Sequence, residues 1–409
     1  MEQTYLTAVN IVKVRHLQNI TIPLDTNKRK HLILTGKNGS GKTSVLEALA
    51  DHFRYVVGNF HTKEKIQEMI DYYHKQLTSG SSEADKQKNL TTRKNISLWE
   101  EKMKHWTSGA MTECISFSTL REKYMSGDFI LAYYKADRLL DVEISSTIEN
   151  INLQEKYELE ETPGKKLIKY MVGLKATQAF AQQKKDFVRA TEIEEWFERF
   201  ESVLKKVFDD STLKLDFDID NFKFHILQKN REPFDFNTMS SGYSAVFEII
   251  NDLIMRMEGK QAKNKEGIVL IDEIDTHLHL ELQRTILPFL TELFPNIQFI
   301  VSTHSPFILN SIDNAVIFDL ETGTLVENGL ANCPYDGIVE SFFDADTLSA
   351  DLRRKLDKYK ALTEKATLSD EDYAEIVALE HDLDEIPDFL SPKIASEYSR
   401  MKLEFSNRG

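Results

Sequence analysis

Cysteine is nearly absent: there are two in 409 residues, Cys114 and Cys333, far apart and without metal-ligand spacing. That excludes a disulfide framework or a cysteine zinc site, and it suits a reducing cytoplasm. No apolar run approaches the roughly eighteen residues of a membrane span, so no membrane partner is expected. Met1-Glu2-Gln3-Thr4 lacks the basic-then-apolar opening of a secretory signal. Acids outnumber bases, 66 to 51. With a net charge of −15, any grip on nucleic acid has to be local. What remains is 41% hydrophobic and 29% charged, long enough for a full core and more than one lobe.

The most informative stretch is Gly36-Lys37-Asn38-Gly39-Ser40-Gly41-Lys42-Thr43, which fits G-x-x-x-x-G-K-[ST] without a mismatch. Apolar His31-Leu32-Ile33-Leu34 precedes it, and Ser44-Val45-Leu46-Glu47-Ala48-Leu49 opens a helix after it. In a strand–loop–helix of this kind the glycines let backbone N–H groups face phosphates. Lys42 reaches the β- and γ-phosphates, Thr43 ligates Mg²⁺, and the helix start at Ser44 adds partial positive charge. ATP with Mg²⁺ is the expected ligand pair.

Gly267-Ile268-Val269-Leu270-Ile271-Asp272-Glu273 is an apolar strand ending in two acids, a Walker B arrangement. Asp272 is expected to hold Mg²⁺, and Glu273 to orient and deprotonate the attacking water. A second apolar strand, Phe299-Ile300-Val301-Ser302-Thr303-His304, ends in a histidine where a switch touching the γ-phosphate would sit. Before the Walker B strand, Ser240-Ser241-Gly242 opens a helix with hydroxyls and bare N–H groups that suit an anion. Asp275 lies just past Glu273, and His277 and His279 follow as a weak metal-pair pattern.

The order P-loop, long insertion, signature, Walker B, D-loop and His switch resembles an ABC-type, AAA-family ATPase of the RecF/SMC/OLD branch. Val9 to Ile20 resembles that branch's first strands, with an element that helps to hold adenine. The resemblance implies an α/β fold: a P-loop ATPase head with a mixed sheet over residues 1–60 and 190–330, a helical insertion lobe over 61–189 and a helical C-terminal extension over 331–409. It further implies a homodimer or higher homo-oligomer, packed head to tail. Ser240, Ser241 and Gly242 of one subunit would then cap the nucleotide held by Lys42 of the other, with Asp275 crossing the interface. Two departures stand out. The signature reads Met-Ser-Ser-Gly-Tyr, and no Q-loop glutamine is assigned. Tyr133-Tyr134-Lys135-Ala136-Asp137-Arg138 resembles the branch's segment at that place, leaving Arg138 open between a nucleotide or partner contact and a structural ion pair.

Within the insertion, Thr78-Ser79-Gly80-Ser81-Ser82 reads as a break between helices over 64–76 and 86–104. Gly164 to Lys185 holds six lysines and no acid, with Tyr170 and Phe180 interleaved. That is either a DNA-facing surface gripping phosphates or a solvated helix face. Strands are expected at 213–217 and 222–226. In the tail, Leu348, Leu352, Leu356 and Tyr359 form one helical stripe. Tyr373, Ile376, Val377, Leu379 and Leu383 form another, inside a stretch of nine acids without Lys or Arg between Ser369 and Leu390. No acid and lysine cluster suits a nuclease's catalytic metals. The tail either caps the core or docks an effector protein.

Together with Phe234 to Tyr243, the tail resembles standalone ATPases encoded beside a nuclease in bacterial anti-phage modules, the PtuA type of Septu systems first and the AriA type of PARIS second. The implied role is a slow or regulated ATPase that controls an effector. The alternatives are a RecF-like DNA clamp and an ATP-binding scaffold with little turnover.

Overall fold

The aliphatic runs that carry the motifs are buried along their whole length, which is what strands covered on both faces require. The computed structural model describes residues 3–407 except 59–60, 62, 78–81, 108, 139, 144–146, 150, 260–264, 342–349, 366 and 385–391. Two units separate by their contacts, Met1–Cys333 and Pro334–Gly409.

The first unit opens with β1 (Leu6–Val14), β2 (Leu17–Pro23), β3 (His31–Thr35) and α1 (Lys42–Gly58). Then come α2 (Lys63–Lys75), α3 (Glu83–Thr107), β4 (Gly109–Cys114), α4 (Phe117–Ser126) and β5 (Phe129–Tyr134). A 3-10 turn at Pro163–Lys166 leads into α5 (Leu167–Gln183), α6 (Phe187–Val207), β6 (Lys214–Asp218) and β7 (Lys223–Leu227). The signature helix α7 (Ser241–Met257), β8 (Glu266–Ile271), α8 (Leu280–Leu293) and β9 (Ile297–Ser302) follow. The short α9 (Pro306–Leu309), β10 (Ala315–Asp319) and β11 (Leu325–Val326) complete the unit.

The main sheet has the order β11-β10-β3-β9-β8-β5. All its neighbours pair in parallel except β10 with β11. Its carboxyl ends therefore share one edge, the edge at which open α/β sheets bind ligands. A second sheet, β2-β1-β4, is antiparallel. Leu32 and Leu34 of β3, Ile268 and Leu270 of β8, and Ile300 of β9 share one core with Val45, Leu46, Leu49 and Phe53 of α1.

The insertion over 61–189 is not purely helical. β4 pairs with β1, matching Ala110 to Ile11. β5 pairs with β8, matching Tyr134 to Ile271. Gly109–Cys114 and Phe129–Tyr134 are thus part of the head's sheets, and the insertion's helices lie before, between and after them. Both strands are six residues long, and partners more than 90 positions away in sequence make them strands. The expected break at 78–82 falls largely outside the described residues, as does Leu348.

The second unit holds α10 (Tyr335–Ser341), α11 (Ala350–Thr363), α12 (Asp370–Asp384) and α13 (Pro392–Ser406). Leu356, Tyr359 and Leu362 of α11, Ile376, Leu379 and Leu383 of α12, and Tyr398 and Met401 of α13 make its core. The third of these packing helices goes beyond the two stripes read from sequence. Tyr373 and Val377, counted there as apolar positions, are exposed instead. Among the described residues no helix is long and apolar enough to cross a membrane.

Candidate nucleotide site

The loop between β3 and α1 has the conformation that its glycines permit. Gly36 has φ 132° and Gly41 φ 100°, values that side chains other than hydrogen strain to adopt. A Cβ at Gly36 would also lie 2.8 Å from Ser40 Oγ, and one at Gly41 3.1 Å from Leu17 Cδ1 in β2. Lys42 is buried, and its ammonium donates to the carbonyls of Gly36 at 2.9 Å and Lys37 at 3.2 Å. Burial pulls the Lys42 pKa down, opposed by the carboxylates of Glu273, Asp272, Asp275 and Asp319. Ser40 Oγ is buried without a hydrogen-bond partner, an open polar group inside the cradle. Lys37, Asn38, Gly39 and Thr43 are exposed, while Ser44 is buried. Lys37 pairs with Glu321 at 3.1 Å, which pins the loop to the β10–β11 turn.

Next to β3 stand β9 and then β8, so His304 and the Asp272–Glu273 pair emerge beside the loop. Asp272 is 2% exposed. Ser302 Oγ donates to Asp272 Oδ1 at 2.5 Å and accepts the Glu273 N–H at 2.7 Å. One hydroxyl thereby orients both acids. Glu273 has φ 44°, a left-handed conformation that costs a non-glycine residue on the order of 1–3 kcal/mol and persists only where neighbours enforce it. Its carboxylate accepts from Thr276 Oγ1 at 3.1 Å. Asp275 accepts from Thr303 Oγ1 at 2.5 Å. His304 is partly buried. Burial and then the Lys42 charge lower its pKa below the usual imidazole value, against the pull of Asp275, Glu273 and Asp272. The balance favours the neutral imidazole.

The signature residues sit at the start of α7. Ser240 is its N-cap with φ −63° and ψ 156°, and no side chain caps the helix. Ser240 and Ser241 are exposed and Gly242 is buried. A Cβ on Gly242 would lie 2.9 Å from the His277 carbonyl oxygen, so glycine is what lets the signature pack on the turn after Walker B. His279 caps α8 through Nδ1, which accepts the Leu282 N–H at 3.5 Å. Of the two histidines of the metal-pair pattern, His279 thus serves as a helix cap. Among the described residues no group of three or more His, Cys, Asp or Glu is arranged to hold a metal.

Two family models match the chain in succession: ABC transporter over residues 19–131 and "AAA domain, putative AbiEii toxin, Type IV TA system" over 135–310. The chain carries an ABC-type ATPase head. It is similar to the retron Ec83 probable ATPase of Escherichia coli, 34% identical over 29% of this chain and 23% of that protein. The Septu protein PtuA of Bacillus mycoides (strain KBAB4) is 24% identical over 80% of this chain and 41% of its own length. The chain therefore spans less than half the length of the curated relatives it matches. Among solved structures, an SMC head bound to the C-winged helix domain of ScpA overlays with a TM-score of 0.38 at 14% identity, covering 80% of this chain and 98% of that one.

In this ATPase head Arg138 is neither a free contact nor one half of a simple ion pair. It is buried and donates to three carbonyl oxygens: Lys135 at 2.8 Å, Asp272 at 2.5 Å and Glu273 at 3.0 Å. The lysines of 164–185 do not form one basic surface. Lys165 pairs with Asp141 at 2.8 Å, and Lys169 with Glu143 at 2.9 Å and Glu149 at 3.3 Å. Lys175 lies 4.0 Å from the Phe197 ring centroid. The three exposed lysines are divided between the two ends of α5, Lys166 at its start and Lys184 and Lys185 past its end. Ser302, Thr303 and Ser305 were not singled out from the sequence, although small hydroxyls at a strand's carboxyl end beside a Walker B pair were the available signal. Ser305 Oγ donates to Gln283 Oε1 at 2.7 Å and so ties the His304 loop to α8.

Proposed function

We propose that this chain binds ATP with Mg²⁺, hydrolyses it slowly within ATP-sandwiched head-to-tail dimers, and acts as a sensor and scaffold that controls a separate effector, a nuclease, in bacterial anti-phage defence. The observation that carries the reading is the placement of Lys42, Asp272, Glu273 and His304 at the carboxyl ends of β3, β8 and β9, adjacent strands of one parallel sheet. The open Ser40 hydroxyl and the buried ammonium of Lys42 fit a phosphate chain. Lys42 engages the β- and γ-phosphates, and Thr43 and Asp272 are the residues to hold Mg²⁺. The metal supplies charge neutralisation at the phosphate oxygens. Glu273 takes a proton from the attacking water, and neutral His304 donates toward the γ-phosphate. Ser240, Ser241 and Gly242 offer the uncapped start of α7 to the nucleotide of a second copy, and Asp275 lies in the same interface.

The likeness to a Septu PtuA protein and to retron ATPases favours defence over repair. The separate core of Pro334–Gly409 suits a docking element for the effector. The internal pairing of Lys165 and Lys169 weighs against a DNA clamp built on that helix. The test is the mass of Glu273→Gln by light scattering. Its mass is expected to double on adding ATP–Mg²⁺ and to stay single when Ser241→Arg is added. A nucleotide-bound protein that remains monomeric would refute the sandwich.

A further inference from the structure

Glu273 carries the strained backbone of this site, and both of its peptide groups are held. Its N–H goes to Ser302 Oγ at 2.7 Å, and its carbonyl takes Arg138 Nη2 at 3.0 Å. The neighbouring Asp272 carbonyl takes Arg138 Nη1 at 2.5 Å, and the Asp272 N–H reaches the Tyr134 carbonyl at 2.8 Å. A planar guanidinium spans two successive carbonyls in a way that an ammonium cannot reproduce. Arg138 is 3% exposed, so its charge needs a counter-charge. The carboxylate that acts on it most strongly is Glu248 of α7, and Arg138 is in turn the strongest charge acting on Glu248. Asp252, Lys165 and Asp137 also face Glu248. Glu248 Oε2 and Arg138 Nε are both buried and hydrogen-bonded to nothing. One helical turn on from Glu248, α7 is fastened to β5. Tyr134 Oη donates to Asp252 Oδ2 at 2.7 Å, and Arg256 pairs with Asp252 at 2.6 Å while donating to the Leu131 carbonyl at 3.1 Å.

We propose that Arg138 is a positioning residue for Glu273, its guanidinium clamping the Walker B backbone in its left-handed turn through the Asp272 and Glu273 carbonyls. Arg138 follows β5, and Asp252 and Arg256 fasten α7, whose first turn carries Ser240 and Ser241, to that same strand. This rests on the reading that Glu273 activates water for ATP hydrolysis.

The experiment uses the full chain and compares ATP turnover, KM and melting temperature for wild type, Glu273→Gln, Arg138→Lys and Arg138→Gln. Displacing a base by a fraction of an ångström is expected to lower kcat about 10- to 100-fold in Arg138→Lys. KM is expected to stay near wild type, because Arg138 bonds the Walker B carbonyls and not the Lys42 ammonium, while the melting temperature falls by about a few degrees as buried hydrogen bonds are lost. Arg138→Gln, shorter and uncharged, is expected to lose at least as much. Wild-type kcat in Arg138→Lys, with Glu273→Gln inactive, overturns the clamp alone. A fall in kcat matched by an equal rise in KM or a collapse in melting temperature also overturns it. Should Arg138→Lys fail to fold, Arg138→Gln decides, and wild-type kcat there overturns the proposal. Absence of turnover in the wild type overturns the hydrolysis reading, and the clamp with it.

Discussion

Replacing Ser302 with alanine removes one oxygen and two hydrogen bonds: the 2.5 Å donation to the Asp272 carboxylate and the 2.7 Å acceptance from the Glu273 N–H. Both Ser302 and Asp272 are buried, so water cannot freely replace the hydroxyl. A hydrogen bond to a charged group contributes about 1.5–3 kcal/mol, and an orphaned buried N–H costs about 1 kcal/mol or more. If the first of these falls entirely on the orientation of Asp272, the loss corresponds to roughly 10- to 150-fold in a Mg²⁺-dependent step. The second falls on Glu273 and adds to it. The assay is ATP turnover titrated with Mg²⁺ in wild type, Ser302→Ala and Ser302→Cys. The expected result is a higher Mg²⁺ requirement together with a lower maximal rate in the alanine variant, and partial recovery in the cysteine variant, which keeps a weak donor. ATP affinity without metal should be unchanged, because Lys42 and its loop are untouched. An alanine variant with wild-type Mg²⁺ dependence and maximal rate would refute the assignment of Ser302 as the common anchor of the two acids.

Gly242→Ala places a methyl 2.9 Å from the His277 carbonyl oxygen, an overpacking expected to cost about 1–3 kcal/mol. ATP binding by the monomer should survive while ATP-driven doubling of mass is lost; doubling as in wild type would show that the signature does not need this close packing. His52 and His31 are buried, and burial pushes both pKa values down to about 4, with Arg29 adding to the effect at His31. The unfolded chain binds these protons at about 6.5, so their contribution is fully present above that pH and is lost as pH falls from 6.5 toward 4, by about 3 kcal/mol for each residue. Urea unfolding at pH 7 and pH 5 should show this slope, and His52→Phe should flatten it; an unchanged slope would remove His52 as a source.

The candidate nucleotide site was legible in sequence because its pieces are local. Residues 36–43 specify the loop by glycine placement, and Asp272, Glu273 and His304 each end an apolar run that is buried throughout. Their convergence follows from parallel pairing, which the motif order implied. Features set by distant partners were not legible. β4 is a strand because β1 pairs with it, and nothing in Gly109–Cys114 alone marks it. The basic stretch at 164–185 looked unopposed because its acids, Asp141, Glu143 and Glu149, lie upstream of the window that was counted. Arg138 was left between two side-chain roles, whereas it binds backbone carbonyls, for which sequence carries no sign. Tyr398, Met401 and Phe405 sit at helical spacing and could have announced α13.

The left-handed backbone at Glu273 has a consequence for how this head breaks down. Lys42 is held by carbonyls of its own loop, Gly36 and Lys37, so nucleotide capture depends on a handful of consecutive residues. Glu273 is kept in place by Ser302 from β9 and by Arg138 from beyond β5, so cleavage depends on three separate parts of the chain staying in register. On the function proposed above, heat, a crowded mutation or partial unfolding would disable cleavage before capture, and a damaged copy would stall with its fuel on board instead of burning it idly.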